Sequence, residues 1–285
     1  MTFLNKSIIG LICELCSLVV KFSLVKLGLG ILFVYLGYKV MGAVVAVVLT
    51  YVVAILIFWK PLKKFLQVEA TPFPTKNIYI YSIPVFLMIT SITLFFSLDV
   101  ILVKHFFTET QAGLYSALSL LGKIIFFGTL SISQVMFPKV SVQHAIGKKT
   151  TRTFYLSLGV VALCAFCALL VYTFLPKLLV SLLFGTEFFP MIPLVAWFGL
   201  FISLIAIVYL TSLYLVSLNK FKFIGLLLSF NVLQIVMIYL FHTSIALVIR
   251  IQIELMALLL LLIFIFNLKS FIVKAPKPFL KKQED

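Results

Sequence analysis

Charge is scarce in this chain. Only 11% of its 285 residues are charged, and eight are acidic, where an average soluble chain carries roughly 25% charged residues. Five of the acids, Glu69, Glu109, Glu187, Glu284 and Asp285, fall in loops or in the tail. The three histidines, His105, His144 and His242, belong to different turns. Acid–base or metal chemistry needs carboxylates or histidines gathered at one place. Their dispersal, and the lack of a large outer loop to house a site, argue against a membrane glycosyltransferase or polymerase. The chain reads as a non-enzyme, with no catalytic residues, metal or organic cofactor expected. Cysteine is also sparse. Cys13/Cys16 and Cys164/Cys167 have C-x-x-C spacing, but both pairs lie in apolar runs without a nearby histidine, where cysteine serves as a small buried residue. A cleavable signal peptide is not expected either: Lys6 stands alone, no small-residue cleavage site follows, and Glu14, Lys21 and Lys26 break the apolar stretch.

Apolar sequence is abundant: 64% of residues are hydrophobic and the mean hydropathy is +1.26. No soluble domain could hide that much apolar surface, so the expected class is an all-α, polytopic transmembrane helix bundle. A span needs about 20 mostly apolar residues, and eight segments qualify: 8–36, 40–59, 78–106 with a kink at Pro84, 112–140, 154–175, 193–218, 223–241 and 244–268. The most polar linker, with Pro72, Pro74 and its lysines, suggests a boundary. It divides the chain into residues 1–66, a linker at 67–76, a six-span unit at 77–268 and a basic tail at 269–285.

The net charge of +15 does not point to nucleic acid, because the lysines sit between apolar runs rather than on a soluble basic patch. They alternate. Sixteen loop and tail cations fall on one side of the eight-span topology, and Lys39, Lys104 and Lys177 on the other. That bias places both termini in the cytoplasm of a multi-pass protein of a bacterial-type inner membrane.

Two apolar segments meet at a short polar turn in L-D-V-I-L-V-K-H-F-F-T-E-T-Q-A-G-L-Y-S-A, residues 98–117. The second closes at M-F-P-K-V-S, residues 136–141, and L-L-F-G-T-E-F follows at 182–188. In order and spacing these segments resemble the polysaccharide flippases of the multidrug/oligosaccharide-lipid/polysaccharide exporter superfamily. The resemblance implies two six-helix lobes related by an axis along the membrane normal. On that template residues 77–268 correspond to a complete second lobe and the first two spans to the end of a first. The chain thus resembles the C-terminal two-thirds of the pattern, without its first four helices. The implied function is export of a lipid-linked oligosaccharide by alternating access, driven by a proton or sodium gradient. Membrane lipids and the glycosyltransferases and polymerase of the same pathway would be partners. The alternatives are a drug or metabolite antiporter of the same superfamily, or a truncated remnant that transports nothing.

Ionisable groups inside a bilayer are costly and mark cavities or partners. Lys26, Asp99, Lys123, Arg250 and Glu254 all fall roughly 10–18 Å below the outer turns. With Lys21, Ser116, Ser119, Asn231 and Gln234, they are the expected lining of a wet, positively biased cavity. Asp99 and Glu254 are the candidates for the coupling ion. The blander reading is that Asp99–Lys123 and Arg250–Glu254 are structural ion pairs. Tyr79, Tyr81, Tyr115 and Trp197 are expected as interface anchors rather than sugar-stacking platforms.

Overall fold

The computed structural model describes residues 24–66 and 75–267. The chain divides into two compact units, 1–73 and 74–285. Lys21, Glu14, Cys13, Cys16, the centre of the linker and the tail lie outside the described residues.

The first unit shows two helices, α1 (Leu24–Tyr38) and α2 (Lys39–Leu66). Gly37, in the last turn of α1, kinks the chain before α2. Its φ of 88° lies in the left-handed region, which glycine enters without steric cost. Gly42 packs tightly across this kink, with the position a Cβ would take only 2.9 Å from the Cβ atoms of Phe33 and Tyr38.

The second unit consists of helices joined by short turns, with no strand among its described residues. It comprises α3 (Thr75–Phe95), α4 (Leu98–Phe106), α5 (Glu109–Ala145), α6 (Thr151–Phe174), α7 (Pro176–Leu183), a 3-10 turn (Thr186–Met191), α8 (Ile192–Ser217), α9 (Phe223–Leu240) and α10 (Ile245–Phe266). Six stretches here are long and apolar enough to cross a membrane, α3 and α4 together forming one of them. The protein is an all-α, polytopic membrane helix bundle.

Helix α3 is continuous through Pro84, and the span is interrupted later, at Phe96 and Ser97, where no break was expected. Two expectations are corrected. Helix α5 runs through Pro138 to Ala145, beyond its expected end at Val140. The chain after Pro176, expected to pass straight to a turn, first forms α7, with Pro176 in its first turn. Proline has no N–H to lose there and its fixed φ suits a helix start. Leu178, Leu182 and Leu183 are exposed on α7 while Val180 is fully buried.

The polar turn at 107–111 starts α5 with reciprocal hydrogen bonds. The Gln111 backbone N–H donates to Thr108 Oγ1 at 3.4 Å, and the Thr108 N–H donates to Gln111 Oε1 at 3.3 Å. Two donors left open at a helix start are satisfied this way.

Helix α8 is the axis of the second unit. It packs against α3, α5, α6, α7 and α10, and the run from Leu210 to Leu218 is buried at every position. Glycines allow the close approaches. A Cβ at Gly122 of α5 would stand 2.6 Å from two ring carbons of Phe198 and 2.7 Å from Ile202 Cγ1. At the same level Tyr172 Oη of α6 donates to the Leu121 carbonyl at 2.6 Å, and a Cβ at Gly199 would meet Tyr172 Cδ2 at 2.8 Å.

Overpacking a filled core costs about 1–3 kcal/mol. Gly122→Leu is therefore expected to lower the thermal unfolding midpoint of the purified protein clearly. Gly128→Leu, whose Cβ meets nothing within 4 Å, is expected to leave it nearly unchanged.

Candidate functional site

The site grows from the interruption between α3 and α4. Breaking a helix strands carbonyls on one side and amides on the other, and in hydrocarbon no water is present to meet them. Here each side finds a partner. The Ser97 N–H donates to the Leu94 carbonyl at 3.2 Å. The Phe95 carbonyl accepts from Gln234 Nε2 of α9 at 3.0 Å. In the first turn of α4, Asp99 Oδ1 accepts from the Val100 N–H at 2.8 Å. A carboxylate at a helix start also meets the positive end of its dipole.

Asp99 is fully buried. Its second oxygen, Oδ2, accepts from Tyr115 Oη of α5 at 2.8 Å. The same hydroxyl lies 3.2 Å from Gln252 Oε1 of α10. A tyrosine hydroxyl has one proton, and the shorter contact to Asp99 takes it. Rotating the Gln252 amide by half a turn would set Nε2 on the Tyr115 oxygen. That gives an acceptor to Nε2, which otherwise has none, and produces a directed chain, Gln252 to Tyr115 to Asp99. Three spans are joined through one hydroxyl.

A second polar contact lies between α3 and α9. Asn231 Nδ2 donates to Ser91 Oγ and, at 3.0 Å, to the Leu227 carbonyl. Asn231 Oδ1 and Gln234 Oε1 are buried acceptors without a partner, and Ser119 Oγ is likewise unpartnered. An unmet buried polar group costs about 1–3 kcal/mol, so water or an ion beside the Asn231 and Gln234 oxygens would be stabilised.

The expected site residues thus separate. Asp99, Ser119, Asn231 and Gln234 are buried, and the interruption gathers Asp99 and Gln234. Lys123 is half-buried, with Nζ 5.6 Å from the centroid of the Phe96 ring, close enough for a cation–π attraction. It forms no ion pair with Asp99 among the described residues, so the blander reading of the two as a structural pair does not hold. Ser116, Lys26, Arg250 and Glu254 are exposed. Arg250 and Glu254 stand two residues either side of Gln252, which at 3.6 residues per turn puts them on the face opposite the Tyr115 network. Among the described residues neither forms an ion pair, so their i,i+4 spacing does not yield the expected bridge. Lys21 lies outside the described residues.

Tyr115 corrects another expectation. It is 1% exposed, a hydrogen-bonded core residue rather than an interface anchor. Tyr79 and Trp197 are exposed, and Tyr81 packs edge-on against Phe221 at 5.9 Å between ring centroids. Gln252 and Ser91 were not anticipated. The signal for Gln252 was a neutral amide inside an otherwise apolar helix, overshadowed by the charges beside it. Cys164 and Cys167 are free and exposed on α6, which corrects the expectation that they are buried. Among the described residues, no group of three or more His, Cys, Asp or Glu could hold a metal ion.

The bundle, its interrupted span and its buried carboxylate coincide with a sequence relationship. The model of a family described as polysaccharide biosynthesis protein matches residues 13–193, more than half of the chain. The chain belongs to the polysaccharide biosynthesis protein family. The match takes in the Asp99 interruption, the Tyr115 helix and the L-L-F-G-T-E-F segment, and supports the flippase-like resemblance drawn from those motifs. No curated protein and no solved structure matches the chain.

In this polysaccharide biosynthesis protein, Tyr115→Phe removes the one donor that Asp99 Oδ2 receives from another span. The expected loss is about 1–3 kcal/mol, read by thermal unfolding. In an Asp99→Asn background the same substitution should cost markedly less, because the charge that needed the hydroxyl is gone.

Proposed function

We propose that this polysaccharide biosynthesis protein moves a lipid-linked oligosaccharide across the membrane by alternating access. The observation that carries the reading is Asp99: a fully buried acid at a break in a transmembrane helix, in a chain of a polysaccharide-related membrane family. Buried ionisable groups at discontinuous helices typify transporters that couple transport to ions. Asp99 binds and releases the coupling proton or sodium ion. Its exchange alters the Tyr115–Gln252 chain, and with it the packing of α4, α5 and α10. The unpartnered oxygens of Asn231 and Gln234 offer acceptors to the same ion.

Exposed charges on spanning helices fit a wet cavity better than lipid. Within the second unit, Lys123 and Arg250 would attract the phosphates of the carrier, while Ser116 and Glu254 would hydrogen-bond the sugars. The lipid tail stays in the bilayer. Both termini lie in the cytoplasm, in keeping with the lysine bias, and the glycosyltransferases and polymerase of the pathway act before and after the transfer.

The test is transfer of a fluorescent lipid-linked oligosaccharide in vesicles holding the purified chain, under an imposed proton or sodium gradient. Gradient-driven transfer is expected in the wild type and should fall at least about tenfold, roughly 1.4 kcal/mol of barrier, in Asp99→Asn. Arg250→Ala is expected to raise the substrate concentration needed for half-maximal transfer. A correctly folded wild type that moves no such substrate under either gradient would contradict the reading.

A further inference from the structure

A second feature lies away from the Asp99 network, where α9 begins and α10 ends. A cavity of about 300 Å³ opens there, lined by Lys222, Phe223, Leu226, Phe266 and Asn267. Both helices are spans whose apolar stretches end at this level, so the cavity sits where hydrocarbon gives way to headgroups. Its size is at the lower end for small-molecule sites.

The chemistry of the lining is divided. Lys222 is exposed and precedes the first turn of α9, where no side chain caps the helix. The Ile224 N–H of that turn donates to the Phe221 carbonyl at 3.1 Å, and the amides left open beside it add positive potential. Below it, Phe223, Leu226 and Phe266 form apolar walls. On the α10 side the carbonyl end is partly closed by its own chain: Asn267 Nδ2 donates to the Ile263 carbonyl at 3.0 Å, and the Asn267 N–H also bonds back into the helix. The anion-attracting wall is therefore that of α9. Lys148, Lys149, Arg152 and Lys220 are exposed at the same end of the bundle, so the charges on this surface are basic among the described residues.

We propose that this cavity binds an anionic phospholipid, with its phosphate at Lys222 and the upper part of an acyl chain against Leu226 and Phe266. Charge complementarity selects an anion. The apolar walls select a lipid over a free phosphate, and basic pockets between transmembrane helices commonly hold such headgroups. The bound lipid bridges the ends of α9, which carries Asn231 and Gln234, and α10, which carries Gln252. The proposal concerns a resident lipid and stands independently of what the protein transports.

The test is native mass spectrometry of the full chain in detergent, titrated with phosphatidylglycerol or with phosphatidylcholine of the same acyl chains. Glycerol 3-phosphate serves as a competitor without chains. Phosphatidylglycerol should bind the wild type at least about tenfold more tightly than phosphatidylcholine, and Lys222→Glu should remove that preference. Lys148→Glu, an equal charge change at the same end, should preserve it. Leu226→Trp, which fills the apolar part, should weaken both lipids. Glycerol 3-phosphate should not displace the lipid at equal concentration. Unchanged phosphatidylglycerol binding in Lys222→Glu, an equal loss in Lys148→Glu, or displacement by glycerol 3-phosphate would each overturn the proposal.

Discussion

A break in a transmembrane helix must be satisfied from within the protein. Backbone donors and acceptors freed at Phe96 and Ser97 have no water to turn to in hydrocarbon. That requirement accounts for much of the second unit's polar interior. Gln234 is placed on α9 to meet the Phe95 carbonyl. Asp99 meets the Val100 N–H in the first turn of α4 with one oxygen. Its other oxygen then needs a donor, which fixes the position of Tyr115 and sets Gln252 beside it. Each polar group is needed because of the previous one, and the series ties α3, α4, α5, α9 and α10 together at one level of the membrane.

Packing supplies the frame on which this series is held. Helix α8 carries no acid or base between Ile192 and Ser217, and it reaches α5 and α6 closely because Gly122 and Gly199 have no Cβ. Phe198 fills the space at Gly122 and also meets Tyr115 edge-on, 5.5 Å between ring centroids. The ring that orients Asp99 is thereby held by the axis helix. A shift of α8 relative to α5 would move the tyrosine hydroxyl, so packing and the polar network are mechanically joined. This is the kind of discrete, packed element through which an ion bound at Asp99 could bias a change of shape.

The spans were legible in the sequence because length and apolarity decide them: α6, α9 and α10 end within a few residues of where composition places their boundaries. Helix α7 was not legible, since eight residues are too few for a span rule. The interruption was hidden for a different reason. Pro84 is the obvious breaker, yet α3 stays helical through it, whereas F-F-S-L-D contains no proline or glycine and is interrupted where Asp99 and Gln234 make the gap tolerable. Asp99 itself stood out as an acid in an apolar run. Its partner did not, because equal depth suggested Lys123, while the side chain that reaches the carboxylate is a tyrosine whose aromatic character suggested the interface. The i,i+4 spacing of Arg250 and Glu254 likewise predicted a pair, where the structure turns both away from Gln252 and leaves them apart.

The central claim is that the Asp99 carboxyl, bonded to Tyr115 in the interior of the bundle, exchanges a proton or a cation. Infrared difference spectroscopy of the protein in lipid, recorded on a step in pH or sodium concentration, tests it most directly. The account predicts a carboxyl band that disappears in Asp99→Asn and shifts in frequency in Tyr115→Phe. A spectrum in which no band depends on Asp99, or in which the Asp99 band ignores the loss of the Tyr115 hydroxyl, would contradict it.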